Sequence, residues 1–201
     1  MGRPFVLFRK LILLISILSL YSCNIIRLFN IEESNDETKN EIEQFLKKHK
    51  YCYDYNLCSV DSTYSSFSNE TNNLYVTSST FISAIQLRIY DKSGNLYSAY
   101  SQCGGDFKKR RNIKAVPPPQ NQNPLLNTKL RLLEELALLE ITEDERKEII
   151  NKSESYHYTF IVHYTIWSNY FSENVLAAIS KLKKKYPEKM LVILVNVARN
   201  K

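Results

Sequence analysis

The side chains that could do chemistry in this chain are four cysteines, three histidines and a serine that follows the single tryptophan. Cys23, Cys52, Cys58 and Cys103 offer a nucleophile, a disulfide or a metal ligand. Cys52 and Cys58 stand six positions apart, so on an extended strand they share a face but lie too far apart to bond. A bridge between them requires a turn, for which Asp54 and Asn56 are suitable residues, and a bridge from either to Cys103 is equally open. No Cys-x-x-Cys is present and no histidine stands at ligand spacing, so neither a metal site nor a cofactor is expected. Ser168 becomes a nucleophile only if His157 or His163 supplies a base, and histidines in an aromatic strand are expected to be hydrogen-bonded packing residues. The pair Gly104-Gly105 beside Cys103 is read as a tight turn, and the basic run at 108–111 (KKRR) as a solvated loop.

What surrounds Cys23 sets the compartment for the other three cysteines. Arg3, Arg9 and Lys10 form a positive start, residues 11–20 an apolar stretch, and Leu20-Tyr21-Ser22-Cys23 a junction with a small residue before the cysteine. This resembles a bacterial lipoprotein signal peptide. The resemblance implies cleavage before Cys23 and acylation, for instance with palmitate, of its thiol and new amino group. Two or more acyl chains hold stably where one holds marginally, since each buried CH₂ contributes roughly 0.8 kcal/mol. An uncleaved signal anchor over residues 11–29 is the alternative, although Asn24 and Arg27 fall inside it. Both readings export the remainder to the cell envelope, on the periplasmic side or at the surface. The residues after position 22 number 179 and carry about +3 of the formal +6 charge, too mild for a nucleic-acid binder. Partners are expected to be the membrane, through the N-terminal lipid, and an envelope protein.

The elements that must position these groups follow from pattern. Residues 1–22 are the leader, 23–33 a tether and 34–201 a single mixed domain, in which 34–116 hold a helix and a hairpin sheet, 117–124 a proline-rich linker and 125–201 further helices and a strand–helix–strand unit. Ser34 and Glu37 form a capping box ahead of Ile42, Phe45 and Leu46 at helical spacing. Tyr51, Tyr53, Tyr55 and Leu57 alternate as in a half-buried strand. Residues 82–90 and 96–100 form a hairpin around Asp91-Lys92-Ser93-Gly94-Asn95, with Ile85, Leu87 and Ile89 on one face. The leucine-rich stretch 125–140 is expected to be a helix with Leu130, Leu133 and Leu136 as its apolar stripe, widened by Leu132 and Leu139. Thr142 and Glu145 cap another helix. In the last part, 156–167 (YHYTFIVHYTIW) reads as a strand, Ser172 as the cap of a helix burying Val175, Leu176, Ile179 and Leu182, and 191–197 (LVILVNV) as a parallel strand covered on both faces.

Strand, helix and strand in this order resemble the first βαβ unit of a thioredoxin-like domain, in which an aromatic strand ends in Trp and runs into Cys-x-x-Cys at a helix start. Here Trp167 is followed by Ser168-Asn169-Tyr170-Phe171, so Ser168 and Phe171 stand where the family has its cysteines. A hydroxyl that stays protonated and a phenyl ring cannot exchange disulfides. The fold expected is α+β tending to α/β, an antiparallel hairpin sheet joined by the terminal βαβ unit. The function expected is that of a non-catalytic, lipid-anchored binding or structural protein whose contact surface is the loop Trp167, Ser168, Asn169, Tyr170 and Phe171. The alternative is a thiol-disulfide oxidoreductase or redox partner using Cys103 with Cys52 or Cys58.

Overall fold

The structure, a computed structural model, describes residues 37–59, 85–101, 113–117, 119–120, 130–139 and 141–197. In chain order these form α1 (Lys39–His49), β1 (Tyr55–Ser59), β2 (Gln86–Asp91), β3 (Leu96–Ser101), α2 (Leu132–Ala137), α3 (Glu143–Ser153), β4 (Tyr158–Tyr164), α4 (Asn169–Lys185) and β5 (Met190–Val197). The leader, Cys23, the tether, Ser34, Cys103, the basic run and much of the proline-rich linker lie outside the described residues.

The five strands make one mixed sheet in the order β1-β5-β4-β2-β3. β1 and β4 flank β5 and run parallel to it, while β2 is antiparallel to both β4 and β3. The hairpin and the terminal strand–helix–strand unit therefore share a sheet, joined along β2 and β4. All eight residues of β5 are buried, because helices cover the sheet on both sides. Alternation along the strands divides the core in two. Phe160, Val162, Val192, Leu194, Leu87 and Ile89 pack with α1 and α4, whereas Ile161, Leu191, Ile193 and Val195 pack with Leu132, Leu136 and Ile149 of α2 and α3. The product is a three-layer α/β/α arrangement. Each aliphatic side chain buried in it contributes roughly 1.5–3 kcal/mol relative to exposure.

Local chemistry accounts for several boundaries. The hairpin turns on Asp91, whose Oδ1 accepts from Ser93 N and Asn95 N at 2.9 Å each, with Gly94 at φ +74°. Thr142 and Glu145 cap α3 reciprocally, as the spacing predicts. Val175, Leu176, Ile179 and Leu182 of α4 are all buried.

Other boundaries differ from the pattern. α1 is capped by Thr38 and Glu41, not by Ser34 and Glu37, and Lys50 closes it in the left-handed conformation. The alternating tyrosine stretch becomes a strand only from Tyr55 on. α4 starts after Ser168, and Ser172 is buried within its first turn instead of capping it. Within the stretch 125–140, residues 132–137 are helical among those described, and the buried face is Leu132, Glu135, Leu136 and Leu139. Leu133 is 58% exposed. The inward face of this helix is thus centred on a carboxylate.

Candidate functional site

Parallel strands gather their C-terminal ends at one rim, the usual location of sites in such sheets. At this rim Glu37, immediately before the Thr38 cap of α1, reaches across to the far end of the chain. Its Oε1 accepts from Ile166 N at 2.5 Å and Trp167 N at 3.0 Å, and its Oε2 accepts from Asn196 Nδ2 at 2.6 Å. These contacts span 129 to 159 positions of sequence. Burial raises the Glu37 carboxyl above its ordinary value, opposed by the hydrogen bonds from Asn196, Trp167 and Ile166.

The neighbouring rim positions are polar or aromatic. Asn196 is paired in register with Cys58 on β1 and with Tyr164 on β4. The Tyr164 hydroxyl donates to Asn56 Oδ1 at 3.1 Å, and burial pushes its ionisation far beyond the usual range. Asn196 is fully buried, and its Oδ1 has no hydrogen-bond partner among the described residues. Cys58 is exposed and free. Partial burial raises its thiol, with Glu37 adding to the shift and Lys39 opposing it, so it remains protonated at neutral pH and is a poor nucleophile.

The loop from β4 into α4 completes the rim. Thr165 Oγ1 donates to Ser168 Oγ at 2.8 Å, Ser168 and Ser172 share a bond of 2.9 Å, and Ser172 Oγ donates to Thr165 O at 2.6 Å. This closed hydroxyl cluster leaves Ser168 and Ser172 buried. Asn169 opens α4. Tyr170 is 41% exposed, Phe171 is half-buried, and their rings meet edge to face at 5.4 Å. Trp167 is half-buried. Of the five residues predicted as a contact loop, Ser168 is therefore an internal fastener and Tyr170 the exposed aromatic.

A second polar cluster lies on the other face of the sheet, beneath α2. Glu135 Oε1 accepts from Arg88 Nη1 and is bonded to His163 Nε2, both at 2.8 Å, while the Tyr90 hydroxyl donates to Glu135 Oε2. Arg88 Nη2 donates to Gln86 Oε1 at 2.5 Å. The side chains of Arg88 and Glu135 are each 1% exposed and that of His163 is 4% exposed. Burial alone would raise the Glu135 carboxyl, but Arg88, His163 and Tyr90 hold it down to about 2. His163 is lowered, chiefly by burial and also by Arg88, against the pull of Glu135, so among the described residues the cluster holds one carboxylate, one guanidinium and a neutral imidazole that donates from Nε2. Enclosed in this way, the cluster fastens α2 to β2 and β4 and presents no surface to a substrate.

The cysteine and serine expectations meet these facts directly. Cys52 is half-buried and free, and its backbone N–H donates to Ser180 Oγ at 2.8 Å. Between it and Cys58, Asp54 does not turn the chain back. It docks on β5, with Val192 N donating to its Oδ2 at 2.8 Å and Lys183 Nζ at 2.7 Å from the same oxygen. Cys52 and Cys58 accordingly form no bridge with each other. His163 is turned to Glu135 and His157 is exposed just before β4 begins, so neither is bonded to Ser168, whose partners are Thr165 and Ser172. No group of three or more His, Cys, Asp or Glu is arranged for a metal ion among the described residues.

Both clusters use residues that pattern reading passes over. Glu135 and Asn196 each interrupt an otherwise apolar face, and that interruption was the available signal, whereas Arg88 alternates with Leu87 and Ile89 beside Gln86 and so reads as part of an outward polar face. No described helix is long and apolar enough to cross a membrane. No family model matches the chain, and no curated protein or solved structure is significantly similar to it.

Proposed function

We propose that this chain is an exported protein, held at a membrane by acyl chains on Cys23, that works by binding and not by catalysis. In this reading its sheet is a thioredoxin-like one whose hairpin precedes the crossover unit in the chain, and the loop Trp167–Phe171 is its contact surface. The observation that carries the proposal is the state of that loop. Ser168, which stands where the family has a thiol, is buried in a closed set of hydroxyl bonds with Thr165 and Ser172. Phe171 offers no second thiol, and among the loop's described side chains the exposed one is Tyr170. Binding partners of the loop are an envelope protein or the membrane itself.

Redox cycling is the second reading, supported by the exposed free thiol of Cys58 at the same rim and its possible exchange with Cys103. Thiol titration of the full chain after equilibration in graded glutathione buffers, read by intact mass, distinguishes the two. Two cysteines that cycle together within the glutathione range overturn the non-catalytic reading. Thiols that titrate independently of the buffer poise, on a chain that starts at an acylated Cys23, support it.

A further inference from the structure

We propose that the rim of the sheet holding Trp167 and Tyr170 faces the lipid bilayer and seats the exposed Tyr170 ring at the headgroup level, making a second attachment beside the anchor. The inference rests on the anchored reading above and names the occupant of that same loop. It is carried by where the tether enters the fold. Three hydrogen bonds fix Glu37 to Ile166 N, Trp167 N and Asn196 Nδ2, so the chain emerges from the N-terminal segment directly against the β4–α4 loop.

Fourteen positions separate Cys23 from Glu37. Fourteen residues span at most about 50 Å at full stretch. The rim is thus where the anchored segment joins the domain. The exposed side chain there suits an interface, since Tyr combines an apolar body with a polar tip and concentrates at the boundary between headgroups and acyl chains, while Trp167 is half-buried with its Nε1 enclosed. Tyr170 is exposed and stacks edge to face on Phe171, which supports its ring at the surface. Elsewhere, the exposed large apolar side chain of α2 is Leu133, across the sheet from this rim.

Trp167 is the only tryptophan in the chain, so its fluorescence reports this loop alone. The test uses the full chain, extracted from membranes and reconstituted into phosphatidylcholine–phosphatidylglycerol vesicles that carry bromine at shallow or deep acyl positions, with intact mass recorded on the same sample. The expected result on acylated protein is quenching at least twofold stronger by shallow than by deep bromine. Tyr170→Asp should cut that quenching by at least half, Glu37→Ala should cut it too by releasing the tether from the loop, and Leu133→Asp should leave it unchanged. Thermal unfolding of each variant confirms that the loop is read on a folded domain. If the protein is acylated and Trp167 is not quenched, or is quenched equally in Tyr170→Asp, the bilayer is not the loop's occupant and the surface is left to a protein partner. If the mass shows no acyl chain on Cys23, the anchored reading itself fails and the inference falls with it.

Discussion

Two polar clusters, one under α2 and one at the rim, are built from similar groups and placed in opposite settings. Under α2, Glu135 meets Arg88, His163 and Tyr90 with almost no exposed area, and its charge is matched inside the protein. At the rim, no cationic side chain among the described residues is bonded to Glu37, which is held by two backbone N–H groups and an amide. The difference shows in the direction of their carboxyl shifts, down for Glu135 and up for Glu37. A carboxylate with a buried guanidinium is fixed in one state and one geometry, which suits a fastener. One that is half-desolvated and held by N–H groups stands next to an exposed aromatic and an exposed thiol, the setting in which the proposed contact surface lies.

The strongest way to break this contrast is to unpair the enclosed cluster. Glu135→Ala leaves Arg88 buried without its counter-charge and should cost about 3–5 kcal/mol in urea denaturation. Replacing both partners, as Arg88→Met with Glu135→Leu, should recover most of that loss, because buried ion pairs exchanged for packed apolar groups are often close to neutral. Failure of the double variant to recover would mean that the cluster does more than fasten α2.

Acid sharpens the contrast, because the two carboxyls act with opposite sign. Glu135 is lowered from 4.5 to about 2, so its contribution to stability is complete above pH 4.5 and is lost as pH falls from there toward about 2. His163 is lowered from 6.5 and adds to the same limb, since its contribution is complete above that value and declines as pH drops through its folded value. Glu37 is raised from 4.5, so its contribution is complete below that value and is lost as pH rises through its folded value. Stability measured from pH 7 to pH 3 should therefore fall less steeply in Glu135→Gln and more steeply in Glu37→Gln than in the unaltered chain.

Smaller effects belong to the rim. Glu37→Ala should destabilise by about 1 kcal/mol, since the hydrogen bonds it removes are charge-assisted but partly solvated, and it should shift the Trp167 emission as the loop loses its hold. Tyr170→Ser should change stability by less than about 0.5 kcal/mol, as exposed substitutions do, while altering whatever the loop binds.

Much of this fold was legible because it rests on short-range pattern. The hairpin turn at Asp91–Asn95, the capping box at Thr142 and Glu145, the inward face of α4 and the apolar run of β5 each follow from residues within a few positions of one another. Where the pattern is degenerate, long-range contacts decide. Ser34 with Glu37 and Thr38 with Glu41 are both capping boxes by spacing, and α1 takes the second. That choice leaves Glu37 to satisfy two backbone N–H groups 129 and 130 positions away, which no local rule contains. Likewise, a glutamate in a leucine-rich helix reads as a solvent-facing residue until its partner Arg88, 47 positions earlier, is brought beneath it. The rotation of α2 that buries Glu135 and exposes Leu133 follows the stripe Leu132, Leu136 and Leu139 in place of Leu130, Leu133 and Leu136, and puts Glu135 on the same face as its partner Arg88.

Hydrogen exchange read by mass spectrometry on the membrane-extracted full chain, with and without vesicles, addresses the division of labour between the clusters most directly. The account predicts slowed exchange in the presence of vesicles for peptides covering residues 164–171, with residues 132–139 slow and unchanged in both states. Slowed exchange under α2, or a loop that exchanges equally fast with and without membrane, would contradict it.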